Sequence, residues 1–136
     1  MADLTITAAS VLKSASAGQT AGIAGAAITQ GQLLYVDTTD SNKMKLADAD
    51  ASASSFVSGV ALTAAAAGQP VVYLTTGQYT VGATVAVGAA YYVSTTAGAI
   101  CLESDLSTGD FATFIGFGVS TTQIDFRPLP SGVAKA

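Results

Sequence analysis

The chain has 136 residues, five basic and nine acidic, with no His, no Trp and a single Cys. That leaves no imidazole for acid–base or metal chemistry, no thiolate cage for zinc, no internal disulfide and no basic footprint for nucleic acid. Ala, Gly, Ser and Thr make up 71 residues, so the core must be thin and the surface small-residued, and neither a cofactor nor an enzymatic activity is expected.

Taken in chain order, the segments rich in β-branched and aromatic residues are short and bounded by Gly, Asn, Asp or Pro, which is a strand signature rather than a helical one. Strands are expected at Leu4–Thr7, Gln32–Asp37, Lys43–Leu46, Val57–Thr63, Val71–Thr75, Gln78–Val81, Ala90–Ser94, Ile100–Glu103, Phe111–Ser120 and Gln123–Phe126. Thr38-Thr39-Asp40-Ser41-Asn42 reads as a hairpin loop, because Asp and Asn bond their own backbone and tolerate left-handed geometry. Pro70 suits the first residue of a strand, where no ladder donor is needed. Asp48–Ser55 and Asp105–Asp110 each read as a short helical turn capped by its first Asp.

An internal repeat organises these elements. Shifted by 57 residues, 31–63 falls on 88–120 without a gap: Gly31 meets Gly88, Tyr35-Val36 meets Tyr92-Val93, Thr38-Thr39 meets Thr95-Thr96, Asp48 meets Asp105 and Gly59 meets Gly116. The expected architecture is therefore all-β, a small barrel or sandwich over 31–126, with the repeat as two hairpin-containing units. Residues 1–30 read as an N-terminal strand followed by a small-residue arm. Residues 127–136 read as an extended tail, since Pro128 and Pro130 forbid helix and limit pairing. The N-terminal segment is open to two readings: an arm added to another chain's edge, or a first strand within its own barrel.

The candidates for chemistry are better explained structurally. Asp48-Ala49-Asp50 resembles a two-Asp nucleotide-sugar motif but lacks any surrounding nucleotide-binding unit. Asp37, Asp40, Asp48 and Asp50 lack the spacing, the Gly and the closing Glu of a calcium loop. Cys101 has no basic neighbour in sequence to activate it and reads as a small buried apolar residue. Gly82, Gly88 and Gly98 are followed by no Lys-Ser or Lys-Thr of a phosphate loop, and Tyr35, Tyr73, Tyr79, Tyr91 and Tyr92 are not interleaved with basic residues. Met1-Ala2-Asp3-Leu4 opens without a secretory pattern, and no apolar run approaches the ~20 residues that span a bilayer, so synthesis in a cytoplasm without membrane partners is expected.

The order of segments Asp3-Leu4-Thr5-Ile6-Thr7-Ala8-Ala9-Ser10-Val11, Ala27-Ile28-Thr29-Gln30-Gly31-Gln32-Leu33-Leu34-Tyr35, Lys45-Leu46-Ala47-Asp48-Ala49-Asp50, Val57-Ser58-Gly59-Val60-Ala61-Leu62 and Ala66-Ala67-Gly68-Gln69-Pro70-Val71 resembles the head decoration, or capsid cement, proteins of tailed bacteriophages. The resemblance implies a β-rich virion structural protein on the capsid exterior, made in the host cytoplasm, with the major capsid protein and its own copies (a homodimer or homotrimer) as partners. It supplies no catalytic motif and no transferable contact residues. From the residues themselves, Leu4, Ile6, Val11 and Leu12 are the candidate capsid or subunit contacts, because they sit in an apolar stretch beside a segment too small-residued to be core. The rival expectation is a carbohydrate- or surface-binding β-module of a tail fibre or adhesin, for which aromatics lining a groove would speak. An ice-binding surface is a third reading, weakened by the lack of a regular Thr-x-Thr array.

Overall fold

Ten strands and three single 3-10 turns make up the regular structure; among the described residues there is no α-helix. The structure is a computed structural model and describes residues 3–135. Met1, Ala2 and Ala136, the extreme ends of the expected arm and tail, lie outside the described residues.

The strands are β1 (Leu12–Lys13), β2 (Gly18–Ile23), β3 (Leu33–Asp37), β4 (Lys43–Leu46), β5 (Gly59–Ala61), β6 (Pro70–Thr80), β7 (Ala90–Val93), β8 (Ile100–Leu102), β9 (Phe111–Gly118) and β10 (Gln123–Ala134). The fold is all-β: one curled antiparallel sheet runs β4-β3-β5-β6-β10-β9-β7-β8, with β1 and β2 also paired to β6. The order reads as the same four-strand series from both ends, with the β6–β10 pair in the middle.

Positions 57 apart occupy matching places in these ladders. Leu33 faces Val60 and Leu34 faces Gly59 across β3 and β5; Ala90 faces Phe117 and Tyr91 faces Gly116 across β7 and β9. The hairpin turns match as well. The Asp37 carboxylate accepts the Thr39 N–H (3.0 Å), and the Ser94 hydroxyl oxygen accepts the Thr96 N–H (3.1 Å). Ser41 and Asn42 hold left-handed φ of 54° and 58°, as the polar loop composition predicts.

β6 joins the two halves. Its residues 70–76 pair with β2, and Tyr73 and Leu74 within that stretch also pair with β5, while residues 77–80 pair with β10 and, at Tyr79 and Thr80, with β1. The main core gathers Leu33, Val60, Leu74, Tyr79, Tyr91, Ile100, Ile115 and Phe126 from both halves. A smaller core, Ala24, Ile28, Leu34, Met44, Ala61, Ala65 and Val71, lies on the other face of the first half. Burying one large apolar side chain stabilises by ~1.5–3 kcal/mol, so these few residues carry most of the folding energy of an Ala-rich chain.

Several expectations are corrected. Leu4–Thr7 forms no strand: the Leu4 N–H reaches the Ile100 carbonyl (2.9 Å) and the Thr7 N–H reaches the Gly82 carbonyl (2.7 Å), two bonds to different elements rather than one ladder. The small-residue stretch after it contains β1 and β2, because a sheet edge supplies backbone bonds that need no large side chain. The two strands expected over 71–81 are one, continuous through Gly77, whose φ of +112° carries the chain past the close-packed Ala17. The tail pairs with β9 as far as Ala134, with register shifts that accommodate the prolines. Asp48 does not cap its turn, which runs Ala53–Ser55; its Oδ1 accepts from the Asp50 N–H (3.1 Å) and the Ser54 hydroxyl (2.8 Å). Asp105 ends the turn Glu103–Asp105 instead of starting one.

Candidate interaction surface

The four candidate contact residues are not gathered on one exposed face. Val11 is buried in the main core, and Leu4 and Ile6 pack half-buried against it, while the intervening Thr5 and Thr7 are exposed. The apolar–polar alternation of 4–7 therefore turns its apolar side onto the chain's own core. Only Leu12, 67% exposed, is free to meet a partner. The segment is fastened further by the Ser94 hydroxyl, which lies 2.6 Å from the Asp3 carboxylate.

The charged groups are absorbed by local structure. Lys45 lies 2.7 Å from Asp37 and 3.1 Å from Asp40, and Lys43 is 3.8 Å from Asp40. The Lys45 ammonium, with two donors from Thr39, pulls Asp37 down to about 2, and the same carboxylates raise Lys45. Arg127 pairs with Asp125 (3.0 Å) and Lys135 with Glu103 (2.8 Å). Lys13 donates to the Ser14 carbonyl. All five basic side chains are thus engaged within the chain. Among the described residues, no group of three His, Cys, Asp or Glu side chains is arranged to hold a metal ion. Among the described residues, no helix is long and apolar enough to cross a membrane.

Cys101 is fully buried, as its apolar sequence neighbours imply, with Sγ 3.8 Å from the Val93 carbonyl; burial pushes its thiol up to about 12, with Asp3 and Asp105 adding to the rise. A thiol so placed is a poor nucleophile. The Tyr79 hydroxyl is buried without a hydrogen-bond partner, and burial raises its pKa.

Among the shallow cavities of the described residues, three bear on this surface. One of about 290 Å³ lies beneath Leu4, Ile6 and Ala8 against Gln30, Gln32 and 96–99. A second, about 410 Å³, is hydroxyl-rich, lined by Thr5, Thr7, Ser10, Thr80, Thr84 and Thr122. The third, about 360 Å³, is mostly apolar, lined by Val11, Leu12, Gln19, Leu62 and Val72. None of the three has an aromatic lining residue.

Sequence reasoning missed the exposed apolar residues. Phe117 is 54% exposed and stacks edge-to-face on Phe114 (5.0 Å), which in turn meets Tyr92 (5.8 Å). Leu129, 65% exposed, sits across the ladder from Phe114, and Phe56, Val87 and Val133 are also exposed. The available signal was the placing of Leu129 and Val133 in a Pro- and Gly-rich tail, where large apolar residues have no core to join.

No family model matches the chain, and no curated protein matches it.

Proposed function

We infer that the chain is a virion structural protein that decorates and stabilises the outside of a tailed-phage capsid, binding the assembled major-capsid lattice and neighbouring copies of itself. The carrying observation is the character of the exposed surface. Four of its five basic groups are paired with carboxylates of the chain, and large apolar side chains, Leu12, Phe56, Val87, Phe117, Leu129 and Val133, stand out on several elements instead of converging on a pocket. Exposed apolar area of this kind fits contact with several neighbours better than capture of one small ligand. The segment-order resemblance to cement proteins supports the same reading. A cement protein stabilises a shell by binding the assembled lattice more tightly than free subunits, and many weak sites suffice. The glycan-binding alternative gains nothing from the three cavities, which lack aromatic lining.

The test is co-sedimentation of the full chain with purified capsid shells of the phage that encodes it, followed by shell melting. Saturable binding in many copies and a raised melting temperature are expected. No binding to shells, with binding to a glycan array, replaces this reading by the adhesin one.

A further inference from the structure

Each half of the sheet has two faces, and in the first half both are covered. Leu34, Met44 and Ala61 lie with Ala24, Ile28 and Ala65 in the smaller core. Leu33, Val57 and Val60, on the other side, belong to the main core, and Tyr35 packs against it. There they share the interior with Tyr91, Val93 and Ile115 of the second half. One repeat unit thus covers a face of the other.

The second half turns one face to that core and leaves the other open. Ile115 is buried, and Phe114 beside it in β9 points the opposite way. The Phe114 ring meets half-buried Tyr92 on one side and Phe117 on the other, and Leu129 stands across the ladder from it. Phe117 and Leu129 are more than half exposed. The 57-residue shift sets Tyr92, Phe114 and Phe117 on Tyr35, Val57 and Val60. The face that carries the main core in the first unit is therefore bare in the second, and aromatic. Asp125 and Arg127 are the only charged residues of β7, β9 and β10, and they pair with each other (3.0 Å). These strands carry no net charge.

We propose that this outer face of β7, β9 and β10 docks on the same face of a second copy of the chain, about a two-fold axis. The two sheets then pack face to face, with the side chains of both filling the ~10 Å between them. The occupant follows from the repeat. In the first half this face is covered by another unit of the same plan, and a second chain supplies such a unit to the second half. The covering residues of that unit, Tyr91, Val93 and Ile115, are already engaged with its own first half. The apolar sheet face left to it is the one around Phe114 and Phe117, so like meets like, as a two-fold interface requires. Phe114, Phe117 and Leu129 of each copy supply aromatic and apolar burial, and the neutral Asp125–Arg127 pair adds no net charge to either side. The proposal rests on the self-association named above, and since its test contains no capsid, its failure leaves capsid binding standing.

The test combines mass in solution with side-chain resonances. Equilibrium sedimentation of the full chain is expected to give twice the 13.4 kDa chain mass at high concentration. The Phe117 ring and Leu129 methyl resonances are expected to move as concentration rises. Phe117→Ser weakens association at least about tenfold, with its circular dichroism unchanged. Leu12→Ser, which removes an exposed apolar side chain from the other half, leaves association as it was. A mass of one chain up to millimolar concentration, or of three chains, overturns the proposal. So does a dimer that Phe117→Ser leaves intact, or one whose formation moves the Leu12 resonances and not those of Phe117 and Leu129. The resonances of the unaltered chain decide the matter even where a variant fails to fold.

Discussion

Leu33 faces Val60 in the first half of the molecule, and Ala90 faces Phe117 at the matching place in the second. The ladders are alike, but the surroundings are not. Leu33 and Val60 are wholly buried, whereas Phe117 is 54% exposed. The cause is what packs outside each unit. The Leu33 N–H bonds to the Gly98 carbonyl (2.9 Å) and the Gly98 N–H to the Ala47 carbonyl (2.7 Å), so the second half's hairpin loop lies against the first half's strands. Among the described residues no backbone bond returns the favour over Phe117, beyond its own ladder partners. A repeated backbone plan therefore does not dictate which face becomes core; the segments laid over it do.

The sharpest break of this comparison is one substitution made at both places. Val60→Ser removes buried apolar volume and adds a hydroxyl with no partner, and is expected to cost about 2–4 kcal/mol. Phe117→Ser loses an edge-to-face contact on a half-exposed residue and is expected to cost less than about 1 kcal/mol. Urea unfolding of both variants checks the pair; equal losses would mean that the two faces are equally buried in solution.

A smaller effect should be shared by the two halves. Gly59 and Gly116 occupy matching positions, and a Cβ on either would run into the next strand: the Tyr73 ring and Leu74 carbonyl for the first, Ile124 and the Asp125 carbonyl for the second. Gly59→Ala and Gly116→Ala are each expected to destabilise by about 1–3 kcal/mol. A loss at one site alone would show that the close approach of adjacent strands belongs to that half only.

The smallest effect separates the hairpins. Asp37, held down to about 2 by Lys45 and Thr39, stabilises its turn fully above the ordinary carboxylate range and loses that contribution as pH falls through 2. Ser94 occupies the matching place and has no titrating oxygen. Protection of the Thr39 N–H, taken relative to its intrinsic exchange rate at each pH, should therefore fall on acidification from about pH 4 to 2, and Asp37→Asn should abolish most of that dependence. An equal loss of protection at Thr96 would point to a general loosening instead.

The hairpin over 38–42 was legible because its chemistry is local: Asp37, Ser41 and Asn42 set the turn with their own side chains and φ preferences. β4 was legible for the same reason, and the fold class followed from the many short β-branched segments. β2 was not, because Gly18–Ile23 owes its conformation to the neighbouring β6 and not to its own residues. Gly77 read as a break because its freedom is visible in the sequence, while Ala17, which makes that freedom necessary, is distant along the chain. The site was less legible than the fold. Of Leu4, Ile6, Val11 and Leu12, three are drawn wholly or partly into the core, since an apolar segment is captured by whatever sheet lies within reach. The repeat sets Phe117 on buried Val60, and sequence carries no record of which face a distant loop will cover.

β6 takes its neighbours from opposite ends of the chain: β1 and β2 from before residue 24, β10 from after residue 122. During synthesis the middle strand emerges with one side of its second half still missing. The hydrogen bonds from Gly77 to Thr80 toward β10 wait for residues 123–126 to leave the ribosome. Loop closure over that distance is slow, and an incomplete chain presents an open strand in the meantime. Completion of β6 is thus tied to the arrival of β10, which acts as the latch that ends its exposure.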